Sequence, residues 1–232
     1  GGGLYLWVPN SSPNTYDRAQ ILSPTNTNTQ EAVAYWTTDS SCPTNCNIVH
    51  VSDQSRFVIA FGCNDYGSSV LNPLLVRWSD QEDYATWTPS INNQAGSFTL
   101  SAGSEIIAAK PQRQEILVFT DAALYSMQYL GPPYVWGFQQ VGTNISVASP
   151  NSIATAANVT FWMGEDKFYM YDGRVQTLPC PLWQWVFNNI NKNQHYQIFA
   201  TTNEGFDEVW WFYPSAGSTT VDRYVVFNYT DK

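Results

Sequence analysis

The sequence repeats one unit with variation: a short apolar strand, a turn rich in glycine and aspartate, and an aromatic strand. One copy covers residues 159–171, with VTFWM before the turn GED and KFYMY after it. A second copy covers residues 115–127, with EILVF, the turn TDA and ALYSM. Residues 56–61 and 208–213 match the first strand of two further copies. Apolar runs joined by such turns predict β-hairpins.

The spacing of these units favours one all-β architecture. Their first strands begin near residues 57, 116, 159 and 208, and the steps between them are close to the roughly 40 to 50 residues of one β-propeller blade. A jelly roll or a β-sandwich would place strands every 8 to 12 residues or so without a longer period. We therefore predict an all-β fold, a β-propeller of which this segment holds an incomplete set of blades.

The predicted propeller sets the expected domain organisation. Residues 1–50 are expected to form a partial blade, with a strand at 4–8 and a polar loop at 23–30. Residues 51–232 are expected to hold the blades in one domain that continues into flanking sequence. The chain starts with three glycines and no methionine, and it ends just after a strand-like run. We therefore expect a segment of a longer chain.

One segment does not match the strand pattern. In residues 181–190, Trp183 and Phe187 lie four positions apart, as do Leu182 and Val186, which a helical turn would bring to one side. Pro181 is acceptable at the start of a helix. The segment is either a short helix or an extended connector.

The composition limits the possible functions. Aromatic residues make up 16% of the chain and charged residues only 12%, which favours strands over helices. The net charge is −9, and the ten basic residues are scattered singly. We therefore expect no binding of nucleic acid by charge. No apolar run approaches the roughly 20 residues of a membrane helix, so we expect no membrane insertion.

The four cysteines do not have the spacing of a metal site. They are Cys42, Cys46, Cys63 and Cys180. Cys42 and Cys46 are close enough in sequence to close a small loop disulfide. We nevertheless expect mostly free thiols, because cytosolic proteins rarely pair them. No metal and no cofactor are expected.

The residues that most often carry catalysis are sparse. The two histidines, His50 and His195, have no partner at a metal-binding or catalytic spacing, and both occur in strand-like polar sequence. We expect them to be exposed or locally hydrogen-bonded. The sequence contains no Gly-x-Ser-x-Gly elbow and no glycine-rich phosphate loop.

An acidic segment at residues 78–89 (WSDQEDYATWTP) has three interpretations. Three carboxylates within four residues suggest a calcium loop, because hard cations prefer clustered oxygen atoms. The segment also resembles the Asp-box turn of sialidase-like propellers, although its glycine is missing and its aspartate spacing differs. The third interpretation, an acidic hairpin turn held by Trp78 and Trp87, is the one that we favour.

A glycoside hydrolase would need two carboxylates that face each other across a cleft. The candidates all occur in or beside predicted turns, where acidic side chains are ordinary: Asp17, Asp53, Asp121, Glu165 and Asp207. Sugar stacking would use exposed aromatic side chains, for which Tyr134, Trp136 and Trp183 are the best placed. Aromatic residues of a propeller more often pack its core. We therefore assign no catalytic residue and expect a protein that is not an enzyme.

The order of several motifs resembles one family. The motifs occupy residues 73–80, 87–89, 104–109, 124–129, 161–164, 168–173 and 183–191. Together they are similar to the propeller portion of tail proteins of tailed bacteriophages, the group of short-tail nozzle or hub proteins and packaged-DNA stabilisation proteins. The similarity spans roughly residues 50–232, and each motif alone is weak.

The resemblance implies a structural virion protein that is assembled in the host cytoplasm. Such proteins form a ring of identical copies, usually a hexamer, below the portal and adaptor, and they help to close and open the DNA exit channel. The expected partners are other copies of the chain, the portal, the adaptor and other tail proteins. DNA would pass the acidic lumen without specific binding. The alternatives are a receptor- or glycan-binding propeller and, third, a glycoside hydrolase.

Overall fold

The structure is a computed structural model. It describes residues 41–230 and, as backbone only, three earlier strands. These residues form an all-β fold, as the sequence predicts, and their strands make four antiparallel sheets. Sheet I contains β1 (Leu4–Pro9), β2 (Tyr16–Pro24), β3 (Ala32–Trp36), β4 (Asn45–Val51), β5 (Val58–Asn64), β6 (Leu71–Trp78) and β7 (Gly96–Thr99).

The other three sheets follow in chain order. Sheet II contains β8 (Ile106–Gln112), β9 (Glu115–Thr120), β10 (Ala123–Gly131) and β11 (Val135–Thr143). Sheet III contains β12 (Ile153–Ala156), β13 (Val159–Met163), β14 (Phe168–Tyr171) and β15 (Val175–Thr177). Sheet IV contains β16 (Phe199–Asn203), β17 (Glu208–Tyr213) and β18 (Arg223–Asn228). In sheets II to IV every strand pairs with its neighbours in sequence, and so do β4 to β7 of sheet I.

The predicted hairpins are confirmed, but their position in the sheets differs from the prediction. Met163 pairs with Phe168 and Phe119 with Leu124, so the turns lie where the sequence places them. The strands taken as the first of each unit, β5, β9, β13 and β17, are the second strands of their runs. The preceding strands β8, β12 and β16 were missed, and of β4 only the strand-like sequence around His50 was recognised. Sequences such as IATA and FATTN lack the long apolar run by which the predicted strands were recognised.

The predicted N-terminal segment is only partly described. The strand expected at residues 4–8 is β1. Of the polar loop expected at 23–30, Ser23 and Pro24 belong to β2, and the rest lies outside the described residues. The boundary drawn between residues 50 and 51 falls inside β4. The chain divides into two compact units, Gly1–Ile106 with Leu130–Val135, and Ile107–Tyr129 with Trp136–Lys232.

In the second unit, sheet III is covered on both faces. Successive side chains of a strand point to opposite faces, and Phe161 and Trp162 of β13 are both buried. Trp162 packs with apolar side chains of sheet II, including Phe119 at a ring-centroid distance of 5.2 Å. Phe161 packs with the cluster that contains Trp211 of sheet IV. Sheets II, III and IV are therefore packed through successive apolar layers.

The ambiguous segment at 181–190 contains the helix α1 (Trp183–Asn188). Val186 and Phe187 are buried against sheets III and IV, and the Phe187 and Phe168 rings lie 5.1 Å apart. Two 3-10 helices follow, at Lys192–Gln197 and Glu204–Phe206. In the part of the chain that the structure describes, no helix combines the length and apolar character that crossing a bilayer requires.

In the first unit, β5 is buried along its whole length. The β5–β6 register shifts at Gly62, which has a φ of +58° that favours glycine. A Cβ atom at this position would lie 2.9 Å from Nδ2 of Asn47. Pro73 lies in β6 opposite this shift, where a residue without an N–H is tolerated.

The four cysteines, all among the described residues, form no disulfide. Cys42, Cys46 and Cys63 are buried in one apolar cluster, and Cys46 and Cys63 are cross-strand partners. Burial raises the pKa of the Cys63 thiol to about 12, against the opposing charge of Arg77. Because the pKa is raised in the folded state, the protonated thiol favours folding below about pH 9. This contribution to the free energy of unfolding is lost as the pH rises towards 12.

The burial of Cys63 predicts that it is alkylated more slowly than an exposed cysteine. The thiolate is the nucleophile, and a thiol with a raised pKa forms less of it. At about pH 8, iodoacetamide is expected to modify the partly exposed Cys180 first and Cys63 only after unfolding. Mass spectrometry of peptides from a time course measures both rates. Equal rates at Cys180 and Cys63 in the folded protein would contradict the buried thiol cluster.

Candidate functional site

The acidic segment forms a turn between two buried tryptophans. Trp78 and Trp87 are both buried in the first unit. The Trp78 indole N–H donates to the carbonyl oxygen of Gln94 at 2.8 Å. The Trp87 indole N–H donates to that of Tyr84 at 2.7 Å. The tryptophans therefore hold the two ends of the turn, as the favoured interpretation predicts.

The carboxylates of this turn bind its own backbone and neighbours. Oδ1 of Asp80 accepts from the backbone N–H groups of Gln81 and Gln94, each at 2.8 Å. Oδ1 of Asp83 accepts from the N–H of Ala85 at 2.9 Å. Aspartate in turns commonly bonds nearby backbone in this way. Among the described residues, no three His, Cys, Asp or Glu side chains form a group that could hold a metal ion.

The third carboxylate of the turn is held by a surface ion pair. Oε1 of Glu82 lies 2.6 Å from Nη1 of Arg56, and both side chains are exposed. Beside the turn lies an open cleft of about 500 Å³, lined by Asp80, Gln81, Glu82, Ile91, Asn92, Asn93, Gln94 and Pro132. The cleft is polar and shallow, and the Asp80 carboxylate is already occupied by the turn.

The carboxylates considered for glycoside hydrolysis are spread over separate turns. Asp53 precedes β5, Asp121 links β9 to β10, Glu165 links β13 to β14, and Asp207 precedes β17. The side chain of Asp17, in β2, lies outside the described residues. The turn positions agree with the prediction, and each turn joins a different pair of strands.

The histidines lie in different settings. His50 is in β4, where burial lowers its pKa and the nearby Asp53 carboxylate opposes the shift. His195 was placed in strand-like sequence, but it lies in the 3-10 helix Lys192–Gln197, and this expectation was wrong. It is exposed, and its Nδ1 lies 3.0 Å from the Lys192 carbonyl oxygen. The local hydrogen bond agrees with the prediction.

His195 and Glu165 are the two predicted candidates that the structure brings to one place. Both line a cavity of about 150 Å³ in the second unit, together with Ala148, Gly164, Ile190, Lys192 and Ile198. The Glu165 backbone N–H donates to Oγ of Ser146 at 3.0 Å. The lining is mostly apolar and small, which limits the cavity to a side-chain-sized occupant.

The aromatic residues predicted to stack on sugars differ in exposure. Tyr134 is highly exposed, and Trp183 is about half exposed on α1. Trp136 is buried, with its ring 5.5 Å from that of Tyr129 in an edge-on arrangement. The prediction that Trp136 contributes to a sugar surface is therefore wrong, because its ring belongs to the packing of sheet II.

Helix α1 presents the first of two aromatic surfaces that distinguish the end of the chain. Leu182, Trp183 and Trp185 are exposed at 58%, 48% and 53%, although Val186 and Phe187 on the same segment are buried. Large apolar side chains grouped on a surface mark contact sites for other molecules. We call Leu182, Trp183 and Trp185 the helix surface.

The second surface is one face of sheet IV. Residues of β17 alternate between the buried Val209, Trp211 and Tyr213 and the less buried Glu208, Trp210 and Phe212. Cross-strand pairing adds Phe199 and Tyr224 beside Phe212, Thr201 and Val226 beside Trp210, and Asn203 and Asn228 beside Glu208. We call these nine side chains the aromatic face, namely Phe199, Thr201, Asn203, Glu208, Trp210, Phe212, Tyr224, Val226 and Asn228.

The rings of the aromatic face are stacked on one another. The Phe199 and Phe212 rings lie 4.8 Å apart and nearly parallel, and those of Trp210 and Tyr224 lie 5.0 Å apart. Oε2 of Glu208 accepts from the indole N–H of Trp210 at 3.0 Å. The face therefore combines a fixed aromatic row with an adjacent polar row.

Comparisons with known proteins identify no family. No protein-family model matches the chain. No curated protein matches it in sequence either. Among solved structures, the chain is similar to a functionally unknown protein from Desulfotomaculum acetoxidans DSM 771, with 8% sequence identity and a TM-score of 0.41. The match covers 97% of this chain and 70% of that one.

Sequence reasoning missed the aromatic face as a site, and of the helix surface it named only Trp183. The alternation in EVWWFY was visible and predicted β17, and it also indicated that every second side chain would point away from the core. The pairing that brings Phe199 and Tyr224 beside Phe212 depends on register, and β16 was not predicted.

Proposed function

We propose that the chain is a structural component of a bacteriophage tail, in which sheets I to IV provide blades of a β-propeller and the chain assembles with copies of itself. The proposal rests on the family resemblance of the motifs and on the sheet arrangement. Runs of antiparallel strands in sequence order, such as β8 to β11 and β12 to β15, are typical of propeller blades.

The packing of the second unit supports a stiff scaffold. Sheet III is buried on both faces, and aromatic rings fill both layers, with Trp162 on one side and Phe168 against Trp211, 5.0 Å apart, on the other. Propeller blades pack face to face in the same manner. Such a scaffold holds its surface segments in fixed positions for contacts with neighbouring subunits.

The proposed self-assembly rests mainly on the exposed apolar side chains of the helix surface. Leu182, Trp183 and Trp185 expose large apolar side chains within one short segment, which the buried Val186 and Phe187 anchor. Tryptophan is enriched at the centres of protein interfaces, where it contributes most of the binding energy. A net charge of −9 would also let DNA pass such an assembly without adhering.

Replacement of Trp183 and Trp185 by serine is expected to abolish self-association. Size-exclusion chromatography with light scattering measures the mass of the wild-type chain and of the double variant over a range of concentrations. We expect cyclic oligomers of the wild type and monomers of the variant, since loss of two interface tryptophans weakens association by about 100-fold or more.

Phe206→Ser is the matched control, because Phe206 is exposed on a different turn of the second unit. This variant should associate like the wild type. Circular dichroism should show that all three proteins are folded. A wild-type chain that stays monomeric, or a double variant that associates as strongly as the control, would contradict the proposal.

A further inference from the structure

We propose that the aromatic face of sheet IV binds an oligosaccharide segment of a neutral polysaccharide. This site goes beyond the proposed structural role and does not depend on it. It differs from the surface predicted from sequence, since it contains none of Tyr134, Trp136 and Trp183.

The aromatic face exposes rings that are held in fixed positions. Phe199 and Tyr224 are exposed at 41% and 60%, and each stacks on a neighbouring ring of β17. Stacking and cross-strand pairing hold the rings in place before any ligand arrives. A ligand that contacts preorganised rings loses less free energy to their ordering. Sugar rings present C–H groups that pack on aromatic surfaces.

A row of polar side chains lies beside the rings. Asn203 and Asn228 are the cross-strand partners of Glu208 on the face that carries Trp210 and Phe212. The Asn228 amide already donates to the Phe206 carbonyl oxygen and accepts from the Thr230 N–H, each at 2.9 Å, so the polar contact with a ligand rests on Asn203 and Glu208. A carboxylate accepts hydrogen bonds from hydroxyl groups, and an amide both accepts hydrogen bonds from them and donates to them. A dry contact with another apolar sheet would remove the Glu208 carboxylate from water, which is unfavourable without a new partner. Sugar hydroxyls provide such partners.

The charge of the site limits the ligand class. Stacked aromatic rings also suit nucleobases, but the Glu208 carboxylate and the net charge of −9 disfavour a phosphate backbone or any other anion. An anionic polysaccharide is therefore disfavoured, and the ligand class that we propose is a neutral one.

The length of the face indicates an oligosaccharide. Glu208 and Phe212 are four residues apart on one strand, a span of about 14 Å at about 3.4 Å per residue. A single sugar ring does not reach both the polar row and the Phe199–Phe212–Tyr224 row. Binding should therefore need several linked sugars, and free glucose should not compete.

The test begins with an array of neutral hexasaccharides of glucose, galactose, mannose and N-acetylglucosamine. The strongest binder is then titrated by isothermal calorimetry at up to about 1 mM. Phe199→Ala and Tyr224→Ala should each weaken binding by about fivefold to tenfold, which is the worth of one aromatic contact. Glu208→Gln, which keeps the shape of the side chain, should weaken it by about tenfold through loss of a charged acceptor.

Tyr134→Ala is the matched control, because Tyr134 is a highly exposed aromatic residue outside the face. It should bind like the wild type. Thermal unfolding should show equal stability of all variants at the temperature of the titration. Absence of binding to every hexasaccharide, or binding that is equal in all variants, would overturn the proposal. So would loss of self-association in Tyr224→Ala, since the face would then be a protein contact.

Discussion

Trp162→Ala is expected to lower the free energy of unfolding by about 4 kcal/mol, the largest loss from any single substitution considered in the second unit. Trp162 is fully buried between sheets II and III. Its ring lies 5.2 Å from those of Phe119 and Tyr169. Its indole N–H donates to the Ser146 carbonyl oxygen at 3.2 Å. Alanine leaves a cavity in the apolar layer and removes this donor.

Urea denaturation followed by fluorescence and circular dichroism measures the effect. Phe206→Ala is the matched control, since it removes a large aromatic side chain from an exposed position outside the helix surface. Its effect should stay within about 0.5 kcal/mol. Similar losses for the two variants would mean that the packing of sheet II on sheet III does not hold the second unit together.

Arg77→Ala is expected to destabilise the first unit by about 3 kcal/mol. Arg77 lies in β6 and is almost completely buried. Nη1 donates to the Asn64 carbonyl oxygen at 2.9 Å, and Nη2 donates to that of Ser41. The guanidinium carbon lies 3.8 Å from the centre of the Tyr66 ring, a cation–π contact. Alanine would leave two carbonyl groups without their donor.

Arg77→Lys distinguishes the contribution of the positive charge to stability from that of the two hydrogen bonds of the guanidinium group. Lysine keeps the positive charge above the Tyr66 ring but lacks the planar fork that reaches two carbonyl groups at once. We expect a loss of about 1 to 2 kcal/mol, between those of the wild type and the alanine variant. Urea denaturation provides the values. An alanine variant as stable as the wild type would show that the buried guanidinium does not connect residue 41 to the β5–β6 turn.

The sequence predicted the parts of the fold that depend on local chemistry. The turns GED and TDA were predicted from their glycine and aspartate, and they connect the paired Met163 and Phe168 and the paired Phe119 and Leu124. The buried Trp78 and Trp87 at the ends of the acidic turn were also predicted. These features follow from a few adjacent residues, so one sequence is sufficient to find them.

Other features depend on residues that are distant in sequence. Segment 181–190 was ambiguous because its helical state depends on burial of Val186 and Phe187 against sheets III and IV. Trp136 and Trp183 could not be told apart by sequence, yet one is buried and the other exposed. The aromatic face combines three strands, and its composition follows only from their register.

Electron cryomicroscopy of the purified chain tests the central claim, that consecutive sheets form propeller blades of a self-assembling scaffold. The account predicts cyclic rings of identical copies, sixfold as the family resemblance implies, with Trp183 and Trp185 at the contact between copies. Each copy should show its sheets arranged radially about one axis. Monomers whose sheets pair into a two-layer sandwich would contradict the account.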